Sequence, residues 1–512
     1  MITPPASADQ QQGQEGSKVI GRLWLILIIV LAAILRLYVN FSPELMPGVN
    51  TPYYPVQVRS ILETGHLGFP DLPFVFYLEA FFAKLLHLFN LCDLSGCIMA
   101  SWKIIDAVLY PLIAIPVFLL AGSVARNVKA PKWVLLLPSI LVVASFPAWI
   151  MMGELQKNSI GLVWAMFYIY FLYRGVYGGK VIDYILAGVF FILTGLTHLG
   201  ALGFCLAFSA SFLFFSIIIK HERRIYLIKI SVLLLLAAAS ISAFLLYFDP
   251  GRFGRLASVM ALPTKIFEQP IIFGFFKDQA STMLMYFQNP MGINANAVAI
   301  LGLVLFFRKR KEISPQEKIL LLASISVTIF MGSPFLGAEW AQRLYLMAYI
   351  PTIIVFIFLL KYIAAAWKKL LLTALVLIVT SAPTPMLLIS GMKSTPSINK
   401  EAYNHLLKLK KMIDNPEETL IITRHGLEWW LAWVLEVDVG QMPSLTKESF
   451  QNYDNVYLLR QKSGQQNVGP PGPGGSFPEV VIPPGAEITY EDEYFILARA
   501  PEETPRFHYE EK

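Results

Sequence analysis

Residues 46–80 read MPGVNTPYYPVQVRSILETGHLGFPDLPFVFYLEA, a polar, aromatic stretch between two apolar runs that carries Arg59, Glu63, His66, Asp71 and Glu79. A carboxylate in such a loop can take the proton of an attacking hydroxyl. An arginine can hold a phosphate, because its planar fork matches the oxygens and its charge persists when desolvated. Ionisable groups in or beside lipid are costly and default to a functional reading. Glu154 and Lys157 flank the short turn GELQKN (Gly153 to Asn158), where they either pair with each other or face a substrate. His198 follows Thr197 at a break between apolar runs, as a helix-capping residue or as a contact for phosphate or sugar. Glu339 and Arg343 are four apart at the start of a span and share a helix face. Glu339 reads first as an ion-pair partner, and Arg343 as a fixed cation for a lipid phosphate. Asp106, with Lys103 one turn before it, reads as a helix-packing polar group.

The elements that must position these groups are membrane spans. Of 512 residues, 56% are hydrophobic and 15% charged, with a mean hydropathy of +0.57. This is the composition of a polytopic α-helical membrane protein. At about 20 apolar residues per span, about 11 runs qualify: 20–40, 101–125, 133–152, 159–177, 181–196, 198–219, 226–248, 293–307, 317–332, 342–360 and 370–391. Basic residues fall on alternate connections: Lys18 and Arg22; Arg126, Lys129 and Lys132; Arg174 and Lys180; Lys220, Arg223 and Arg224; Arg308 to Lys311; Lys361, Lys368 and Lys369. The positive-inside rule makes that side cytoplasmic. Residues 1–19 then form a disordered cytoplasmic N-terminus without signal-peptide features, and residues 20–391 a transmembrane domain. The loops 41–100 and 249–292 and a small α/β domain over 392–512 lie outside. A net charge of +6 without a basic face interleaved with aromatics argues against nucleic-acid binding.

Within the first loop, Pro52 to Thr64 reads as a helix with proline in its first turn and Gly65 as its stop. Pro73 to Phe89 reads as a second helix, too charged to span easily and suited to the membrane interface. In the tail, Lys400 to Ile413 is an amphipathic helix, and Gly426 to Leu435 a Trp-rich one. Glu418–Thr423, Asn455–Arg460 and Glu493–Arg499 read as strands, and Asn467 to Pro478 as a flexible loop. Cys92 and Cys97 are close enough for a disulfide or for two free thiols, and Cys205 sits in a span. No Cys/His cluster has metal-ligand spacing.

Several patches resemble the GT-C glycosyltransferases, among them oligosaccharyltransferase catalytic subunits, protein O-mannosyltransferases and aminoarabinose transferases. They are Arg36 at the end of the first span, VNTPYY (Val49 to Tyr54), VQVRSILETG (Val56 to Gly65) and DLPFVFYLEA (Asp71 to Ala80). The Glu154 turn and AQRLYLMAYIP (Ala341 to Pro351) add to the likeness. The resemblance implies an inverting transfer from a polyprenyl-phosphate sugar to a glycan, lipid or protein acceptor on the external side, and the short loops suggest a bacterial inner membrane. It implies Asp71 or Glu154 as base, and Arg59, Lys157, His198 and Arg343 near the phosphate, with Glu339 and Tyr54 in the site. One departure is that Asn50 stands where the family's catalytic aspartate is expected. An amide neither accepts a proton nor binds Mg or Mn as a carboxylate does, so the metal stays unknown. A shifted carboxylate, Asp71 or Glu44, is the preferred explanation. Glu154 acting alone and altered or lost activity are the others. Competing functions are a non-catalytic GT-C-like protein that binds a lipid-linked glycan or a partner subunit, and a lipid or solute transporter.

Overall fold

The computed structural model describes residues 8–125, 132–219, 290–363, 396–462 and 479–501, with a few short pieces at 232–247, 266–272 and 368–372. The expected spans 226–248 and 370–391, the loop 249–292 and the tail loop 467–478 lie wholly or largely outside the described residues. The helices in chain order are α1 (Ala8–Phe41), α2 (Tyr53–Thr64), α3 (Phe74–Leu88), α4 (Leu94–Leu109), α5 (Ala114–Val124), α6 (Leu137–Ala144) and α7 (Phe146–Ile150). They continue with α8 (Gln156–Gly178), α9 (Val181–Thr197), α10 (Leu199–Ile219), α11 (Pro290–Lys309), α12 (Pro315–Met331) and α13 (Ala338–Tyr362). The tail adds α14 (Lys400–Lys410) and α15 (Glu428–Val434). Among the described residues six helices are long and apolar enough to cross a membrane: Gly21–Phe41, Leu94–Val124, Gln156–Gly178, Leu199–Ile219, Met291–Lys309 and Arg343–Tyr362. The chain is a polytopic helical membrane protein.

Two of the expected spans differ in shape. The run 133–152 is a 3-10 turn over Lys132–Leu135 followed by α6 and α7. Ser145 is extended (ψ 138°) two residues ahead of Pro147, which has no N–H with which to continue the preceding helix. The run expected at 101–125 extends from Leu94 to Val124, with a 3-10 turn around Pro111.

The chain divides into two compact units. The first comprises 1–40, 70–75 and 103–390, the second 41–69, 76–102 and 391–512. In the first, α8 is buried along most of its length. It packs on α9 through Phe167, Phe171 and Phe190, whose rings lie nearly parallel with centroids 4.7 and 5.6 Å apart for the pairs involving Phe190. Helices α11, α12 and α13 pack together, and Gly302 permits the closest approach: a Cβ there would come within 2.5 Å of Val355 Cγ1.

The second unit is built on a five-stranded sheet: β1 (Thr419–Ile422), β2 (Asp438–Gly440), β3 (Asn455–Gln461), β4 (Ile488–Glu491) and β5 (Phe495–Arg499). Its order is β2-β1-β3-β5-β4. β1 pairs parallel with both neighbours, and β5 is antiparallel to β3 and β4. The strands β2 and β4 were not legible in the sequence. β1 is buried at every position, as expected for a parallel central strand covered on both faces. One face belongs to a core with Trp430, Leu431 and Phe495 of the tail, Tyr54 and Phe76 of the first loop and Trp102 of α4. The other faces a smaller cluster around Leu458 and Val480. The first-loop helices therefore share a core with the tail sheet, where the sequence suggested a separate domain over 392–512. The helix expected over Pro73–Phe89 is α3. It buries Phe76, Ala80 and Ala83 in this core and exposes Phe81 and Leu88. Helix α2 begins after Pro52 and ends on Gly65 at φ 81°. Buried Gln57 holds the following turn to it, donating to Phe69 O at 2.7 Å and accepting from Phe69 N at 3.0 Å. Cys92 and Cys97 form a disulfide.

Candidate active site

In the first unit, the N-terminal turns of α8 carry the expected site residues. Gly153, at φ 82°, turns the chain, so that Glu154, half-buried, precedes α8 by two residues. Lys157, in the first turn of α8, pairs with Asp71. The Asp71 carboxylate is 4% exposed and its Oδ1 also accepts from Leu72 N at 2.6 Å. The sequence offered Lys157 to Glu154; the structure gives it Asp71, because the segment 70–75 runs along this face of α8. One turn beyond Lys157, Gly161 lets α10 approach: a Cβ there would lie 2.9 Å from Ala201 Cβ and 3.3 Å from His198 Cβ. One turn further, Trp164 packs edge-on against Phe74, three residues past Asp71, at 6.0 Å. Positions 157, 161 and 164 lie on one helix face, which therefore brings Asp71 and His198 into one neighbourhood.

His198 breaks α9 from α10, with extended backbone (φ −158°, ψ 125°). Its Nδ1 accepts from Ala201 N at 3.2 Å, the pattern of an N-cap. A neutral ring capping in this way carries its proton on Nε2. Next to it, a Cβ on Gly200 would lie 3.7 Å from Met347 Cε of α13. Arg343 is one turn before Met347 and so on the same face of α13. Its guanidinium is exposed and lies 5.9 Å from the Trp340 ring. Glu339 is on α13 one turn earlier, and its side chain is outside the described ones. The starts of α8 and α10 thus adjoin, α13 reaches α10 through Met347, and the N-terminal dipoles of α8 and α10 add a positive field near Lys157. The arrangement holds a near-buried carboxylate, a cation and an imidazole, with Arg343 one turn from the Met347 contact, a set of groups able to receive a phosphate and take a proton.

The remaining expected residues belong to the second unit. Half-buried Asn50 accepts Tyr53 N at 3.2 Å through its carbonyl, at the start of α2. Tyr54 is 3% exposed and packs on Phe76 at 5.7 Å. Arg59 donates to Ala432 O at 3.5 Å and Trp433 O at 2.9 Å, stacks over the Trp433 ring at 4.0 Å and lies 3.6 Å from Glu436. It satisfies the C-terminal carbonyls of α15, and burial lowers its pKa against the opposing pull of Glu436. Glu44, the alternative for a shifted register, is exposed and paired with Lys400 at 2.7 Å.

A polar cluster only partly signalled in the sequence lies deeper in the first unit. Buried Asp106 accepts from Arg36 Nη2 at 3.3 Å and Asn40 Nδ2 at 2.9 Å. Arg36 Nη1 donates to Ala148 O at 3.0 Å, and its guanidinium lies 4.6 Å from the Tyr110 ring. This makes Asp106 a packing residue, and it explains Arg36 without substrate. Asn40 carried no signal of its own. Among the described residues, no group of three or more His, Cys, Asp or Glu side chains is placed to hold a metal ion.

The structure of ArnT from Cupriavidus metallidurans bound to undecaprenyl phosphate matches this one with a TM-score of 0.51 over 93% of this chain and 98% of that one, at 12% sequence identity. The chain shares the fold of that protein. The resemblance seen in a few sequence patches therefore extends over nearly the whole chain, as a likeness of fold. No protein-family model and no curated protein sequence matches it.

Proposed function

We propose that the protein is a membrane glycosyltransferase that moves a sugar from a polyprenyl-phosphate donor to an acceptor hydroxyl, with inversion, on the extracytoplasmic side. The observation that supports this reading is the near-buried Asp71–Lys157 pair at the start of α8, beside the close approach of Gly161 to His198 at the start of α10. The fold shared with an enzyme bound to undecaprenyl phosphate supplies the substrate class. Arg343, Lys157 and the His198 N–H would hold the lipid phosphate and stabilise the charge that develops as it leaves. The Asp71 carboxylate, paired with Lys157, would take the proton of the attacking hydroxyl, with Glu154 as the second candidate carboxylate. The new bond forms from the acceptor oxygen to the anomeric carbon as the bond from that carbon to the phosphate oxygen breaks. Asn50 then has no catalytic task.

The test is turnover in nanodiscs with radiolabelled polyprenyl-phosphate hexoses and pentoses. Sugar transfer that disappears in Asp71→Asn or Glu154→Gln, while the lipid still binds, supports the proposal and names the base. Saturable lipid binding with no turnover for any donor would replace it with a non-catalytic lipid-binding role.

A further inference from the structure

The first unit has a polar cavity, of about 690 Å3, at the end where the basic connections lie, and no step of the proposed reaction uses it. Its lining includes Ser123, Tyr170, Arg174, Lys180, Asp183 and Gln316. The volume is within the range of small-molecule sites. Its charges are mostly neutralised internally. Arg174 pairs with Asp183 at 3.2 Å and donates to Tyr170 Oη at 2.9 Å. Glu317, also in the lining, pairs with Lys361 at 2.7 Å. Lys180 is exposed, and among the described residues it makes no ion pair. It is therefore the surplus cation of the cavity. The run Arg308 to Lys311 enters the turn that carries the lining residues Ser314 and Gln316, which adds to the positive field.

Beside Lys180 begins a stripe suited to hydrocarbon. Val181, Ile185, Val189 and Ile192 are spaced along one face of α9 and are 72%, 54%, 44% and 41% exposed. A ligand with a phosphate at Lys180, a headgroup in the cavity and tails on this stripe is a phospholipid. An ammonium headgroup would meet carboxylates that already have partners, whereas a hydroxylated one can bond to Tyr170 and Gln316. We infer that the cavity binds the headgroup of an anionic phospholipid of the phosphatidylglycerol type, with its phosphate at Lys180 and its acyl chains along α9. Basic residues near a membrane surface attract such lipids.

The purified protein would be equilibrated with equimolar phosphatidylglycerol, phosphatidic acid, phosphatidylethanolamine and phosphatidylcholine of matched chains, and retained lipid read by native mass spectrometry. Phosphatidylglycerol should be retained in preference to the other three. Lys180→Ala should weaken that preference about fivefold, and Lys180→Glu should abolish it, with unchanged melting temperatures because the position is exposed. Gln316→Ala should weaken it several-fold. Equal retention of phosphatidylglycerol and phosphatidylcholine by the wild type, or undiminished preference in both Lys180 variants, would overturn the site. Phosphatidic acid held as well as phosphatidylglycerol would overturn the headgroup assignment.

Discussion

Two acid–base pairs inside the first unit call for different experiments. Asp71–Lys157 belongs to the proposed site, and removing one partner of a near-buried pair leaves a desolvated charge. Asp71→Asn should cut transfer by about 10²–10⁴, the range for loss of a general base, and should also lower the melting temperature. The double variant Asp71→Asn/Lys157→Met should recover the melting temperature without recovering transfer, which separates chemistry from folding. Asp106 has no access to substrate in this arrangement. Asp106→Ala should destabilise the protein by about 3–5 kcal/mol, because Arg36 would be left buried without its counter-charge. Thermal unfolding in detergent reads this; transfer measured per folded molecule should be nearly unchanged.

Helix starts and stops do much of the positioning. Gly65 ends α2 at φ 81° with open space around a Cβ, so Gly65→Ala should cost about 1–2 kcal/mol from backbone strain alone. Gly161 works through contact distance. Gly161→Leu should push His198 and α10 away from α8, and so weaken retention of a polyprenyl phosphate far more than it lowers the melting temperature. A lipid affinity that falls no more than the stability would show that His198 does not meet the phosphate. Much of this was legible locally. The Pro52 start and the Gly65 stop, the break at His198 and the strands around Ile421, Leu458 and Leu497 all follow from turn chemistry and apolar pattern. The short strands β2 and β4 were not, since Asp438–Gly440 and Ile488–Glu491 are too brief and too polar for a period-two pattern to show.

At the scale of the molecule, the second unit carries several titratable contacts outside the spans. Burial opposes ionisation of Asp492, but hydrogen bonds from Tyr490, His405 and the amides of Phe495 and Tyr494 outweigh it and lower its pKa. Its contribution to stability is therefore present above the ordinary carboxylate range near 3.9 and is lost as pH falls through its depressed value. Tyr490 and Tyr453 are raised to about 12, by burial first and then by hydrogen bonds to Asp492 and Asp438. Their contribution is full below the ordinary phenol value near 10 and is lost as pH rises towards 12. Unfolding followed against pH should show both losses. Asp492→Ala should remove the acid one, and Tyr490→Phe should reduce the alkaline one.

By itself the sequence determined the membrane-spanning character, the helix and strand types, and the residues able to do chemistry, because apolar runs, basic flanks, proline, glycine and carboxylates act through local or lipid-scale physics. Only the tertiary structure decided which of them meet. Lys157 takes Asp71, 86 positions away, and not the neighbouring Glu154. Arg59 is drawn to the end of α15, and the first-loop helices bury their aromatic side against the tail sheet. Each outcome depends on close approach between segments distant in the chain. That information is carried by packing, which no single stretch of sequence contains.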